Sequence, residues 1–232
     1  MVMKKILIAG YYGYSNSGDD AILSSICRDV QELGPRNGVE HEMMILSNNP
    51  EVTKSEYGVN AIYRFNFKAV RSEILRSDIV LMGGGSLLQD GTSTRSLLYY
   101  LWIIWYAKAH DKKCMLYGNG IGPINRSFNR RLTQWIANKL DIITLRESLS
   151  HDELRRLGVV KPKIRVTADP VFNLATSETD VNEIFLEEGV DTTKPLVAVL
   201  FRSWEVAADY VVKTAELCDH IIEQYDMNIL LI

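Results

Sequence analysis

The sequence is poor in the residues that most readily betray a chemistry. Its three cysteines, Cys27, Cys114 and Cys218, lie far apart in apolar stretches, and no pair has metal-ligand spacing. That speaks against a zinc site or a disulfide framework and fits free thiols in a reducing compartment. The four histidines, His41, His110, His151 and His220, all fall outside the glycine-rich loops described below, so none is assigned a catalytic role. Neither sign of charge dominates: 26 Lys and Arg against 29 Asp and Glu leave a net charge of −3, which gives no ground for nucleic-acid binding. Long apolar runs are missing too. The longest such stretch, Leu97 to Ala109, falls short of the ~20 residues that cross a bilayer. Met1-Val2-Met3-Lys4 is too short to be the start of a secretion signal. The expected location is the cytoplasm, with contact at the inner face of the plasma membrane left open. Also absent are GxGxxG and GxxxxGK[ST], which argues against a dinucleotide fingerprint or a P-loop.

What is there is an alternation of apolar strands and amphipathic helices, the pattern of an α/β protein with a parallel sheet and helices on both faces. The first unit organises the rest. Lys5 to Ala9 reads as a buried strand, and it runs into Gly10, Gly13, Asn16 and Gly18. After Asp19 a helix follows, with Ile22, Ile26, Val30 and Leu33 on one face and Asp19 or Ser17 as the expected N-cap. Such a loop can offer backbone N–H groups to an anion, or it can be a plain tight turn. Further strands are expected at 40–47, 59–63, 79–82, 112–117, 141–145 and 163–167. Helices are expected between them at 50–57, 67–76, 94–109, 125–140 and 147–157.

Two later strands also empty into glycine. Ile79-Val80-Leu81-Met82 is followed by Gly83-Gly84-Gly85-Ser86, then Leu87-Leu88-Gln89-Asp90. The strand ending at Tyr117 is followed by Gly118-Asn119-Gly120-Ile121-Gly122-Pro123. Such glycine runs have a steep entropic cost and suggest that something approaches the backbone closely. In open α/β sheets ligands bind beyond the carboxyl ends of the strands, so the three loops are expected to wall one cleft. Arg146, between a strand end and a helix, is placed to bind an anion, or else to pair with Glu147 or Asp169. Leu97, Leu98, Leu101, Trp102, Trp105 and Tyr106 form a broad apolar helix face that is expected to lie in the core. Arg126, Arg130 and Arg131 form a basic patch, read as a solvated helix face or as an attraction for anionic lipid or a phosphorylated substrate.

The texture changes at Asn173–Asp180, which is polar. We read 1–175 as one Rossmann-like domain, 176–195 as a linker, and 196–232 as the start of a second domain, with strands near 197–201 and 228–232 around a helix at 210–225. One βαβ unit cannot bury its own sheet, so the chain is expected to be part of a longer two-domain protein.

The order and spacing of these motifs resemble the polysaccharide pyruvyl transferase family, and most closely the bacterial ketal-pyruvyltransferases linked to anchoring of S-layer proteins. The matching residues are Gly10-Tyr11-Tyr12-Gly13-Tyr14, Asn16, Gly18-Asp19, Gly83 to Asp90, Gly118 to Pro123, Arg146-Glu147-Ser148 and Asp169-Pro170. Two positions depart from the pattern: Asp20 stands where Glu is expected and Asn119 where Gln is expected. The resemblance implies a GT-B-like fold with two Rossmann-like domains. It also implies transfer of pyruvate from phosphoenolpyruvate to a lipid-pyrophosphate-linked saccharide, with N-acetylmannosamine as acceptor sugar and a cyclic ketal as product. No cofactor is expected. The partners are the acceptor and the donor, with membrane-surface contact and homo-oligomerisation left open.

On that reading Asp19 orients or deprotonates an acceptor hydroxyl, or merely caps its helix. Arg146 clamps an anion, and Arg202 binds the donor. Gly13, Asn16, Gly18, Gly84, Gly85, Ser86, Asp90, Asn119 and Gly120 form the substrate-binding walls. The general acid is expected beyond residue 232, so that residues 1–232 alone would be inactive. The alternatives are a nucleotide-sugar glycosyltransferase of GT-B type, an NAD-dependent oxidoreductase, disfavoured by the absent fingerprint, and a non-enzymatic binding module. The last would use the Trp102/Trp105 helix as its interface and would show an exposed aromatic patch.

Overall fold

A computed structural model describes residues 2–174, 180–200 and 209–232 of the chain. Arg202 lies outside the described residues. The chain divides into two units, Met1–Ala175 and Thr176–Ile232.

The first unit alternates strand and helix throughout: β1 (Val2–Tyr12), α1 (Ser17–Arg36), β2 (Val39–Ser47), α2 (Pro50–Tyr57), β3 (Asn60–Tyr63), α3 (Phe67–Arg76), β4 (Ile79–Gly83), α4 (Thr94–Ala109), β5 (Lys113–Asn119), α5 (Ser127–Ala137), β6 (Ile142–Leu145), α6 (Ser148–Leu157) and β7 (Lys163–Val166). A single 3-10 turn, Pro170–Asn173, follows. The seven strands form one parallel sheet in the order β3-β2-β1-β4-β5-β6-β7. Right-handed crossovers dictate the layers. The chain steps outward from β1 to β3 and then inward past β1 to β4, so α1 and α2 cover one face and α3 to α6 the other. Strand β1 shows the consequence. Leu7 and Ala9 face the core under α3–α6, while Ile8 packs with Ile22, Leu23 and Ile26 of α1. Burial on both faces is why the central strands read as unbroken apolar runs.

Helix starts follow local capping chemistry. Asn49, Asn66 and Ser93 cap α2, α3 and α4 through their side chains. Helix α1 begins earlier than expected. Its cap is Asn16, whose Oδ1 accepts from the N–H groups of Gly18 and Asp19, so neither Asp19 nor Ser17 holds that position. Helix α5 is shorter than the apolar pattern suggests, because Asp90 takes the N–H groups of Asn125 and Arg126 and holds them outside the helix. The α4 face is split. Leu97, Tyr100, Leu101 and Ile104 are buried, but Leu98 and Trp105 are 37% and 40% exposed, so the expected aromatic core stripe reaches the surface. Cys27 and Cys114 are buried, and burial pushes both thiols up to about 12, which makes them inert; Cys218 is half-buried.

The second unit holds α7 (Val181–Glu187), β8 (Leu196–Val199), α8 (Asp209–Tyr225) and β9 (Asn228–Leu231), with β8 and β9 paired in parallel. None of its described residues is buried. Among the described residues of the chain, no helix is long and apolar enough to cross a membrane.

Candidate active site

The strand order reverses between β1 and β4, which opens a crevice over their carboxyl ends. All three glycine loops leave the sheet at this edge and are tied together there. Gly84 donates its N–H to Tyr117 O at 2.9 Å, and Gly120 donates to Gly85 O at 2.8 Å. Gly122 donates to Leu88 O at 2.8 Å, and Asp90 donates to Pro123 O at 3.0 Å. The second and third loops therefore run as a paired ribbon beyond the sheet. The first loop joins them through Tyr12, whose buried hydroxyl donates to Gly83 O at 2.9 Å.

Much of the glycine density serves packing by the protein itself. Gly84 adopts φ +58°, and a Cβ there would fall 2.1 Å from Ile22 Cγ2 of α1. Gly120 leaves room for the Ser86 hydroxyl and the Arg146 guanidinium, which would lie 2.6 and 3.2 Å from a Cβ. Gly85 differs, because its α-carbon faces Asp19: a Cβ would sit 3.5 Å from Asp19 Oδ1. Asp19 thus hangs over the backbone of the second loop, in the crevice.

The Asp19 carboxyl is pushed up to about 6. Desolvation by burial is the largest cause, the neighbouring Asp20 adds to it, and Arg64 opposes it. Such a group exchanges its proton near neutral pH and suits general base work. The N-terminus of α1 is not an open anion site. Asn16 already satisfies the N–H groups of Gly18 and Asp19, and two carboxylates, Asp19 and Asp20, occupy the first turn.

Arg146, just past β6, is held on three sides. Its Nε donates to Glu147 Oε2 at 3.0 Å, Nη1 to Asp169 Oδ2 at 3.1 Å, and Nη2 to Ser86 Oγ at 3.4 Å. Both of the pairings considered from the sequence are therefore present. Asp169 also caps the 3-10 turn through Val171 N–H. Glu147 bonds the Ser150 hydroxyl, which in turn accepts from Ile121 N–H in the third loop. The guanidinium, 31% exposed, lies against the Gly120 backbone with its position fixed on both flanks.

Other expected site residues have structural duties. Asp90 accepts from Asn125 N, Arg126 N and Asn129 Nδ2, and these bonds hold its carboxyl below the ordinary range against the opposing effect of burial. Asn119 is fully buried. Its Nδ2 donates to Met82 O and Tyr117 O, while its Oδ1 has no hydrogen-bond partner among the described residues. Gly13, at φ +76°, lets the first loop pass within 2.2 Å (measured from an added Cβ) of the Ser47 hydroxyl at the end of β2.

Arg64, just after β3, has no counterpart in the sequence reading. It is 3% exposed and has no carboxylate partner among the described residues. Nη1 donates to Gly10 O and Nη2 to Tyr100 OH, each at 3.0 Å, and Nε has no partner. Its charge sits instead among the rings of Tyr11, Tyr14, Phe65, Tyr99 and Tyr100, with its central carbon 4.8–5.8 Å from each centroid. Tyr11 and Tyr14 stack at 4.1 Å at the mouth of the crevice, where Tyr11 is 42% exposed. The only sequence signal was an arginine in an aromatic-rich neighbourhood, Tyr63-Arg64-Phe65, whose other partners come from two distant segments, Gly10–Tyr14 and Tyr99–Tyr100. Among the described residues no three His, Cys, Asp or Glu side chains gather where they could hold a metal ion.

Solved structures share this architecture at low sequence identity. A UDP-GlcNAc 2-epimerase from Neisseria meningitidis bound to UDP-GlcNAc superposes with TM-score 0.59 at 14% identity, over 98% of this chain and 66% of that one. MnaA from S. aureus, solved with UDP, gives 0.58 at 13%, over 99% and 62%. A glycosyltransferase from Rickettsia africae gives 0.56 at 13%, over 99% and 68%. These likenesses establish a fold of the GT-B glycosyltransferase and epimerase kind, and the chain spans about two thirds of the length of these proteins. No curated protein matches the sequence. The family model described as polysaccharide pyruvyl transferase matches residues 16–232, and the chain belongs to that family.

Proposed function

We propose that the protein transfers pyruvate from phosphoenolpyruvate to a saccharide as a cyclic ketal. The acceptor would be a lipid-pyrophosphate-linked saccharide ending in N-acetylmannosamine, in the synthesis of a secondary cell wall polymer that anchors S-layer proteins. The observation that carries the reading is the pairing, at one crevice, of a half-buried carboxyl poised near neutral pH with a fixed guanidinium. Asp19 reaches over Gly85, Gly85 is bonded to Gly120, and Gly120 lies under Arg146.

The reaction needs both. The methylene carbon of the donor takes a proton, and a first sugar hydroxyl attacks the adjacent carbon. A second hydroxyl then displaces phosphate, closing the ketal. Asp19 accepts a proton from an attacking hydroxyl. Arg146 faces the donor's carboxylate or phosphate with the charge and fork geometry that such groups require. Tyr11, 42% exposed and stacked on Tyr14, offers a flat surface for a sugar ring. The two carboxylates on Arg146 compete with the donor, so its Kd should respond to their removal.

The test is to incubate the full-length enzyme with phosphoenolpyruvate and a lipid-pyrophosphate disaccharide, following phosphate release together with the ketal methyl signal by NMR. We expect both to appear in equal amounts and to be lost in Asp19→Asn. For Arg146→Ala we expect a loss of ~10²–10³-fold, the ~3–4 kcal/mol typical of a removed charged contact, with little change in melting. Some solved structures of this fold carry UDP or UDP-GlcNAc, so a nucleotide-sugar donor is the competing outcome. Turnover of UDP-sugar with none of phosphoenolpyruvate would overturn the reading.

A further inference from the structure

We propose that the outer face of α3, α4 and α5 is a docking surface for an anionic lipid bilayer. The first observation is charge. The protein as a whole is slightly acidic, yet these three adjacent helices carry seven cationic residues and a single carboxylate, Glu73. Three of the seven are neutralised: Arg76 by Glu73, Lys108 by Asp141 and Arg130 by Glu153. Lys68, Arg71, Arg95 and Arg131 have no carboxylate within ion-pair distance among the described residues, and all four are exposed.

The second observation is apolar. On the same helices Phe67, Leu98, Trp105, Phe128 and Trp135 are 37–69% exposed. A groove between α4 and α5 is lined by Leu98, Trp102, Trp105, Leu132 and Trp135. Trp and Tyr are the side chains that favour the headgroup level of a bilayer, and cations beside them meet anionic headgroups at ~1 kcal/mol each. The two features interleave here. The Arg71 guanidinium lies 6.0 Å from the Trp102 ring and 5.8 Å from Tyr106, and Lys139 Nζ lies 4.8 Å from Trp135.

A second copy of the chain fits this face poorly, because pairing it with itself would oppose Lys68, Arg71, Arg95 and Arg131 to their like. An anionic lipid surface neutralises them. The face is also continuous with the crevice. Aromatic contacts run from Trp102 through Phe67 and Tyr99 to Phe65, at centroid distances of 5.3–6.4 Å, and Phe65 flanks Arg64. The basic patch singled out from the sequence is thereby redrawn. Arg131 belongs to this face, whereas Arg130 is committed to Glu153. The inference goes beyond the transfer reaction and does not depend on it, since lipid binding is read without turnover.

Vesicle sedimentation tests it, using phosphatidylcholine alone and phosphatidylcholine with phosphatidylglycerol at 7:3 (~30% anionic lipid, enough to create the surface potential). We expect binding to the anionic vesicles only. It should weaken at least ~10-fold in high salt and in Lys68→Glu/Arg71→Glu/Arg131→Glu, as the loss of several such contacts requires. Brominated lipid should quench tryptophan emission in the wild type and much less in Trp105→Phe/Trp135→Phe. If the tryptophan variant loses its circular dichroism, Phe128→Ser on the exposed end of α5 serves in its place. Absent binding to anionic vesicles, or binding that the charge variant leaves intact, overturns the proposal. So does a dimer in sedimentation velocity that the charge variant abolishes, with no vesicle binding.

Discussion

At the scale of single residues, Asp19 and Arg64 form a linked pair whose titration can be read. Asp19 holds its proton up to about pH 6 in the folded chain and releases it near the ordinary 3.8 when unfolded. Between those values the folded state binds more protons than the unfolded one, so stability falls as pH rises through the window and levels off above it. Asn mimics the protonated form. Asp19→Asn should therefore raise stability at pH 8 by about 1–2 kcal/mol, the shift discounted for partial exposure, and leave it unchanged at pH 3.5. Urea melts at the two pH values check this, and an equal effect at both would sink it. The same variant should abolish turnover, so stability and activity move in opposite directions. Arg64 opposes the upward shift of Asp19. Arg64→Leu should raise the Asp19 pKa further, a change visible in carboxyl carbon NMR. It should also cost about 2–4 kcal/mol, because Gly10 O and Tyr100 OH lose their buried donor. An unmoved Asp19 titration would show that the two groups do not communicate.

At the scale of elements, the contact between α1 and the second glycine loop fixes the geometry of the crevice. Gly84 and Gly38 share a left-handed backbone, at φ +58° and +70°, but only Gly84 is crowded. Gly38→Ala should cost about 1 kcal/mol from backbone strain alone. Gly84→Ala adds overlap with Ile22 and should cost roughly 3–5 kcal/mol, as strain and overpacking combine. Equal costs in denaturant melts would mean that α1 shifts freely and does not set the loop. This contact also marks where sequence reading stops. Helices α2, α3 and α4 were legible as helical stretches between strands, and the structure adds their caps, Asn49, Asn66 and Ser93. The single parallel sheet and the shared edge of the three loops followed from apolar strands running straight into glycine. The cap at Asn16 was missed because the apolar period of α1 begins after Asp19, whereas capping depends on an amide three residues earlier. The reason for Gly84 was missed because its neighbour, Ile22, comes from another element. Burial of Arg64 and Asn119 was illegible for the same reason, since their environments are assembled from segments distant in sequence. The split of α4 into buried Leu101 and exposed Trp105 needed the positions of α3 and α5, which periodicity alone does not give.

At the scale of the whole molecule, stability is expected to be unequal between the two units. Strands β1, β4 and β5 lie at the centre of a seven-stranded sheet with buried side chains on both faces, among them Leu7, Ile8, Leu81, Met82 and Leu116. Their backbone hydrogen bonds can open only when both helical layers lift away, which is close to global unfolding of the first unit. Strands β8 and β9 are a lone parallel pair, and no described residue around them is buried. Two strands without a covered face are marginal in water, so their amides should open by local fluctuation at a small free energy. Native-state hydrogen exchange on the protein should show the amides of Ile8, Leu81 and Leu116 exchanging slowest. Those of Val197 to Val199 and Ile229 to Leu231 should exchange at least ~10³-fold faster, which corresponds to about 4 kcal/mol less protection. Comparable protection in the two sets would show that β8 and β9 are covered in solution by contacts beyond those within their own unit. The crevice residues Asp19 and Arg146 belong to the protected unit, so their geometry should persist even where β8 and β9 open.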